Sequence, residues 1–294
     1  MVGRNWAIPL LFSLVMPNVL SAARAEIGHP QLMRDIEYAR VGAASLRMDA
    51  SLPATSGNAP AIVIVHGGGW VRGDRRVDVQ PLFKPLTDAG FAWFSISYRL
   101  ATDMTQFGVA ISDVQDAVRY VRSHAAAFNT DPDEIALIGE SAGGQLAAMA
   151  ALRGRGDTAV KAVVALYAPC DLISLVNSSS YVPAQIRACM RGTPWGNLFM
   201  AGLSQLSPID NVRHDMPPFL LIHGTADPLV PFRQSSDMCE RMKKAGASCE
   251  LYPVPGAGHG IRLWESVPQL AGAYKHKMIL WLRQQLRSGA TVSF

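Results

Sequence analysis

The feature that most restricts the fold is an apolar run that leads directly into a glycine-flanked serine. EIALIG (134–139) runs into GESAGG (139–144), and a helical pattern follows. Glycine tolerates positive φ and leaves no Cβ in the way of a close backbone approach. A strand that enters a helix through a tight turn needs both properties, and the turn exposes the serine hydroxyl beside backbone N–H groups. The stretch therefore predicts a strand–turn–helix elbow centred on Ser141.

The same alternation of strand and helix patterns continues along the chain. RDIEYARV and ASLRMDASLP near the start predict a hairpin-like pair, and NTDPD (129–133) predicts a turn. Further strands are predicted at AIVIV (61–65), FAWFSISYR (91–99), VKAVVALYA (160–168), PFLLIHG (218–224) and SCELYPV (248–254). Helices are predicted over 109–128, over 233–246 and in the C-terminal stretch 271–287. This order predicts an α/β fold with a mostly parallel central sheet and helices on both faces.

One stretch departs from this alternation of strand and helix patterns. Residues 172–207 lack a clear strand and are rich in Ser, Pro, Gly and Trp. We interpret them as a small cap insertion over the carboxyl edge of the sheet. The prediction is therefore a single catalytic domain over residues 26–294.

The first 25 residues have the pattern of an export signal. Arg4 is followed by an apolar run from Trp6 to Leu20, and then by Ala23-Arg24-Ala25. This is the order of the n-region, h-region and cleavage site of a secretory signal peptide. An uncleaved membrane anchor is the alternative, but the run is short for a span. We expect cleavage after Ala25 and a secreted or periplasmic protein, with no stable membrane insertion afterwards.

Charge and cysteine content limit the partners, disulfides and metals that are expected for this protein. The net charge of +4 comes without any block of Lys or Arg, so no nucleic-acid partner is expected. Four cysteines in an oxidising compartment permit two bridges, and pairing of neighbours (Cys170–Cys189 and Cys239–Cys249) is the simplest arrangement. Free buried thiols are the alternative. No cysteine or histidine spacing indicates a metal, and no cofactor is expected.

Four motifs follow predicted strands, where open α/β sheets place their active sites. They are HGGGW (66–70), GESAGG (139–144), HGTADPLVP (223–231) and GAGHG (256–260). A serine hydroxyl needs a base, and an imidazole needs an acid that orients it. The order Ser141, Asp227, His259 supplies the nucleophile, the acid and the base.

Other residues compete for these roles or support them. Asp210 and Asp215 are rival acids, whereas His66 and His223 end strands and are expected to be structural hydrogen-bonding groups. The glycine run at 67–69 presents bare N–H groups, which together with the N–H of Ala142 would form an oxyanion hole.

HGGGW, SYRL, DPDEIALIGESAGGQLAA, SPI, PPFLLIHGTADPLVP and GAGHG together resemble the alpha/beta-hydrolase esterases. The resemblance is closest to the bacterial feruloyl and acetyl-xylan esterase (BD-FAE-like) group, which is related to the hormone-sensitive-lipase-like carboxylesterases. It extends from about residue 61 to residue 286. It implies the alpha/beta-hydrolase fold, and it gives the triad role to Ser141, Asp227 and His259. It gives the oxyanion role to Gly68, Gly69 and Ala142.

Three further residues are candidate substrate contacts. Trp70 follows the glycine run, Glu140 precedes the serine at a position where relatives vary, and Trp195 lies in the insertion. A packing role is the alternative for both tryptophans.

The expected function is that of a secreted serine carboxylesterase. The resemblance implies hydrolysis of short-acyl or carbohydrate-linked esters, of acetyl or feruloyl type, through an acyl-enzyme. The expected partner is therefore a small-molecule or oligosaccharide ester. An amidase or peptidase with the same triad is one alternative, and a non-catalytic binding protein on a hydrolase fold is another.

Overall fold

The protein contains an eight-stranded sheet in the order β1-β2-β4-β3-β5-β6-β7-β8. The computed structural model describes residues 29–54, 57–103, 106, 108–178 and 193–286. The signal peptide predicted at 1–25 lies outside these residues. The strands are β1 (Gln31–Val41), β2 (Ala44–Leu52), β3 (Ala59–Val65), β4 (Ala92–Ile96), β5 (Thr130–Glu140), β6 (Ala162–Leu166), β7 (Phe219–Gly224) and β8 (Cys249–Val254).

The sheet is antiparallel at one edge and parallel elsewhere. β1 pairs with β2, and β2 with β4, in antiparallel register. All pairings from β4 through β3 to β8 are parallel. The hairpin-like entry and the mostly parallel sheet are therefore confirmed.

β3 shows why its sequence is a continuous apolar run. Val63 and Val65 belong to one hydrophobic core, whereas Ile62 and Ile64 belong to a second core on the opposite face. All four side chains are completely buried. A strand covered on both faces has no polar side to alternate with, so it reads as uninterrupted β-branched sequence.

Helices cover both faces of the sheet. They are α1 (Gln80–Asp88), α2 (Val109–Ser123), α3 (Ala125–Phe128), α4 (Ala142–Arg153), α5 (Leu172–Ser178), α6 (Pro194–Leu206), α7 (Arg233–Lys244), α8 (Ile261–Glu265) and α9 (Pro268–Gln285). Residues of α2, α4 and α7 enter the core that contains Val63. Residues of α1, α8 and α9 enter the core that contains Ile62. The prediction of helices on both faces is confirmed.

The turn predicted at NTDPD is wrong. Asn129 alone has a left-handed conformation, with φ of 50°, and β5 begins at the next residue. Thr130 pairs with Ala59 of β3, so this polar stretch extends a central strand. The helix predicted over 109–128 is interrupted at His124, which lies between α2 and α3.

The insertion is helical where the structure describes it. α5 and α6 occupy its two ends, and no strand occurs in the described parts of 172–207. Residues 179–192 lie outside the described residues. The function of this segment as a cap stays a prediction.

Cys239 of α7 and Cys249 of β8 form a disulfide, as predicted. Cys170 is a buried free thiol, and burial raises its pKa to about 12. Its predicted partner, Cys189, lies outside the described residues.

Candidate active site

Ser141 occupies a strained elbow between β5 and α4. Its φ of 50° and ψ of −123° are unusual for a residue with a side chain, and its N–H donates to the Leu166 carbonyl at 2.9 Å. A Cβ on Gly139 would collide with the backbone of Gly143. A Cβ on Gly143 would in turn collide with the backbone at the end of β3. The two glycines therefore allow the elbow to pack against the sheet.

The elbow brings Ser141 to the histidine and the aspartate that the sequence predicts. The Ser141 hydroxyl lies 2.9 Å from Nε2 of His259. Nδ1 of the same ring lies 2.7 Å from Oδ2 of Asp227. With Nδ1 protonated, the imidazole donates to the carboxylate and accepts the proton of the serine.

Asp227 is buried, and its carboxylate is held by several donors. Its Oδ1 accepts the N–H groups of Leu229 and Val230, each at 2.9 Å. Burial by itself raises the pKa of Asp227. The hydrogen bonds with His223 and His259 outweigh this and leave the pKa well below its ordinary value. Asp227 is therefore an ionised acceptor for His259.

His223 is a second histidine at the same carboxylate. Its Nε2–H donates to the Val230 carbonyl at 2.8 Å and lies 3.4 Å from Oδ2 of Asp227. Its Nδ1 lies 2.7 Å from the Ser235 hydroxyl. The predicted structural role of His223 fits these contacts. His66 likewise contacts the Gly67 carbonyl at 2.8 Å.

The rival acids lie elsewhere. Asp210 accepts the Ser204 hydroxyl at 2.6 Å, and Asp215 pairs with Arg213. Neither residue is among the hydrogen-bond partners described for His259.

The loops that carry Asp227 and His259 are joined to each other. Ala226 donates its N–H to the Ala257 carbonyl at 3.0 Å. A Cβ on Gly224 would collide with that same carbonyl, so the glycine permits the close approach. Asp227 and His259 therefore lie on loops that are joined to each other at the ends of β7 and β8.

The glycine run forms one wall of the cavity. Gly68 and Gly69 have φ of 111° and 61°. A Cβ on Gly68 would collide with the Arg72 carbonyl across the turn. The Gly67 N–H donates to Oε1 of Glu140 at 3.1 Å, so it is already engaged. Gly68, Gly69 and Ala142 all line the cavity with Ser141, and their oxyanion role stays a prediction.

The cavity above Ser141 has a volume of about 1090 Å³. Trp70 lines it, and its Nε1–H donates to Gln145 at 2.9 Å. Leu175 of α5 also lines it, so the insertion contributes to the site. Trp195 does not line this cavity, and 81% of its surface is exposed. The substrate role of both tryptophans stays a prediction.

Glu140 was predicted to be a candidate substrate contact, but both of its carboxylate oxygens bind groups of the protein. Its side chain reaches the cavity wall, but Oε1 accepts the Gly67 N–H and Oε2 accepts the Tyr167 hydroxyl. Burial raises its pKa above the ordinary value, against the effect of these two hydrogen bonds. Tyr167 was missed from the sequence, although it follows β6 at the same edge of the sheet as Ser141.

No metal-binding cluster of His, Cys, Asp or Glu occurs in the part of the chain that the structure describes. Within that part, no helix combines the length and apolar character that crossing a membrane requires.

Sheet order, parallel crossovers and the elbow after β5 define the class of this protein, which has the alpha/beta-hydrolase fold. Its residues 48–242 match the BD-FAE family model. The chain belongs to the BD-FAE family, as the sequence motifs predicted.

Relatives and solved structures are consistent with this membership. Esterase LipC of Mycobacterium tuberculosis is 32% identical over 79% of this chain and 60% of its own length. A truncated form of a carbohydrate esterase from gut microbiota is 27% identical, with a TM-score of 0.71 over 89% of this chain and 98% of that chain. The propionate-bound esterase Est2 of Thermogutta terrifontis is 25% identical, with a TM-score of 0.71 over 90% and 98% of the two chains.

The chain is shorter than its curated relatives. It spans between 52% and 60% of the length of the three mycobacterial esterases that it matches.

Proposed function

We propose that this protein is a serine carboxylesterase that hydrolyses short-acyl or carbohydrate-linked esters. The observation that carries the proposal is the hydrogen-bonded chain from Ser141 through His259 to Asp227, open to a cavity of about 1090 Å³. A hydroxyl next to an oriented imidazole is an activated nucleophile. Esterase names among the relatives and solved structures support the same chemistry.

The proposed reaction has two steps. Ser141 attacks the ester carbonyl while His259 takes its proton, and Asp227 stabilises the imidazolium that forms. The N–H groups of Gly68, Gly69 and Ala142, which line the cavity, stabilise the tetrahedral oxyanion in this scheme. The imidazolium then protonates the leaving alkoxide, and the acyl group remains on the serine. Water activated by the same histidine releases the acid.

Two observations support small or carbohydrate-linked esters. The cavity is lined by a mixture of apolar groups, such as Leu229 and Trp70, and charged groups, such as Arg72 and Asp74. Apolar lining groups suit a short acyl chain, and charged groups together with an aromatic ring suit a hydroxylated alcohol. Two structural neighbours support the same substrate class, because one is a carbohydrate esterase and the other is an esterase with propionate bound.

We also propose that the protein is exported, to the periplasm or the medium. The leader-like sequence of residues 1–25 supports this, and so does the disulfide between Cys239 and Cys249. Disulfides persist in oxidising compartments and are rare in the cytosol.

The test is hydrolysis of p-nitrophenyl acetate by the purified protein and by Ser141→Ala. Loss of a triad serine removes about 10⁶ in kcat elsewhere, so the variant is expected to fall to background. p-Nitrophenyl esters of rising chain length, acetylated xylan and feruloylated sugars then define the substrate.

An inert wild-type protein would contradict the esterase proposal. Equal activity in Ser141→Ala would contradict the choice of nucleophile. Faster hydrolysis of the matching acetyl p-nitroanilide than of the ester would favour an amidase instead.

A further inference from the structure

A buried hydrogen-bond network lies behind the proposed active site. Glu140 is at its centre, and both of its carboxylate oxygens accept hydrogen bonds from the protein. Oε1 accepts the N–H of Gly67, 73 residues earlier in the chain, at 3.1 Å. Oε2 accepts the hydroxyl of Tyr167, 27 residues later. One carboxylate therefore contacts the glycine loop on one side and the residue that follows β6 on the other.

Tyr167 extends this network to the histidine loop. Its hydroxyl oxygen accepts the N–H of Ile261 at 2.9 Å, two residues after His259. Its ring meets the His259 imidazole edge-on, with ring centres 4.7 Å apart. Tyr167 is completely buried and has a φ of 39°, a strained value for a residue with a side chain. Strain of this kind persists only where the surroundings impose it.

The directions of these hydrogen bonds follow from the ionised form of Glu140. An ionised carboxylate only accepts, so the hydroxyl of Tyr167 donates to it. The hydroxyl oxygen is then free to accept from Ile261. The three groups form one directed chain, in which a charged acceptor strengthens the bond that precedes it.

We propose that Glu140 and Tyr167 are positioning residues, which hold the glycine loop and the His259 loop in register with Ser141. The proposal rests on the esterase function proposed above. Glu140 is adjacent to Ser141. Its hydrogen bonds therefore fix the positions of the glycine loop and the His259 loop relative to the nucleophile. Small misplacements of such groups slow acyl transfer because reacting atoms must be aligned.

The same fold supplies a matched control. Tyr274 of α9 is also completely buried, and its hydroxyl donates to Glu265 at 2.9 Å. Tyr274→Phe therefore removes the same kind of hydrogen bond from the same hydrophobic core as Tyr167→Phe. If the network around Glu140 were only structural, the two variants would behave alike.

The first experiment compares Tyr167→Phe with Tyr274→Phe on p-nitrophenyl acetate. Both variants are expected to unfold at a lower temperature than the wild type. Only Tyr167→Phe is expected to lose kcat, by about tenfold to a hundredfold, while KM stays nearly unchanged. Equal kcat values in the two variants would overturn the proposal, as would a loss confined to KM.

The second experiment adds Glu140→Gln and the double variant Glu140→Gln/Tyr167→Phe. Glutamine keeps the size of the side chain, but its amide nitrogen opposes the donor at one of its two positions. If the residues act through one network, the double variant loses no more kcat than the worse single variant. Losses that multiply would show independent roles and overturn the proposal.

These results separate the two proposals. A wild-type protein that hydrolyses no ester contradicts the proposed function. An active wild type with an unaffected Tyr167→Phe variant contradicts the positioning role alone.

Discussion

The carboxyl edge of the sheet and the insertion at 172–207 are held in place very differently. At the edge, Ser141, Asp227 and His259 follow strands or lie on loops joined to each other by backbone hydrogen bonds. In the insertion, α6 exposes 81% of Trp195 and 65% of Leu198.

This difference indicates that the two regions have different functions, catalysis at the edge and substrate preference in the insertion. Acyl transfer requires fixed distances between the nucleophile, the base and the oxyanion donors, and buried strand ends provide them. Exposed side chains such as those on α6 can change identity at little cost in folding stability. We therefore expect variants at the edge to slow the hydrolysis of every ester by a similar factor. Variants in the insertion are expected to change the relative rates for different esters.

The largest effect in this comparison is expected from Asp227→Asn. The amide keeps the shape of the carboxylate but favours the wrong tautomer of His259, and the matching change in a protease costs about 10⁴ in kcat. Steady-state kcat should fall by a similar factor on p-nitrophenyl acetate and p-nitrophenyl butyrate. A loss of kcat below about tenfold would mean that Asp227 is not the acid of the triad. Asp210 and Asp215 would then again be candidates for that role.

A smaller uniform loss is expected from Gly68→Ala. The new methyl group would collide with the Arg72 carbonyl and displace the glycine loop. Loss of one oxyanion donor costs about 10²–10³ in kcat. Gly42→Ala is the control, because Gly42 also has a positive φ, of 59°, but no atom lies within 4 Å of its added methyl group.

Gly42→Ala should lower stability slightly and leave kcat unchanged. A similar kcat for Gly68→Ala and Gly42→Ala would mean that the glycine loop has only a structural role. Other N–H groups would then have to stabilise the oxyanion.

Much of the edge was predictable because its signals are local. β3 is a β-branched run that both cores bury, and each catalytic candidate stands in a short glycine-rich motif after a strand. The polar sequence at the start of β5 predicts a turn, because the pairing of Thr130 with Ala59 is a contact distant in sequence and leaves no local signal.

The network around Glu140 was missed for the same physical reason. Its members Gly67, Tyr167 and Ile261 are far apart in the chain, and no spacing rule links a tyrosine that follows one strand to a carboxylate at the last residue of another. Only the packing of the sheet brings them together.

The smallest effect is expected from Trp195→Ala. An exposed side chain that does not line the cavity should change kcat/KM by no more than about twofold to threefold, equivalent to about 0.5 kcal/mol. The ratio between acetylated xylan and p-nitrophenyl acetate is the informative quantity. A large uniform loss on both would place Trp195 in the catalytic machinery and abolish the contrast between the edge and the insertion.

The proposed mechanism requires Ser141 to carry the acyl group between the two steps. The most direct measurement is rapid acid quenching during turnover of p-nitrophenyl acetate, followed by peptide mass spectrometry. We predict one acetyl group on the peptide that contains Ser141, with a burst of p-nitrophenol equal to the enzyme concentration if deacylation is the slower step. Acetylation of a different residue in the burst, with Ser141 unmodified, would contradict the proposed role of Ser141.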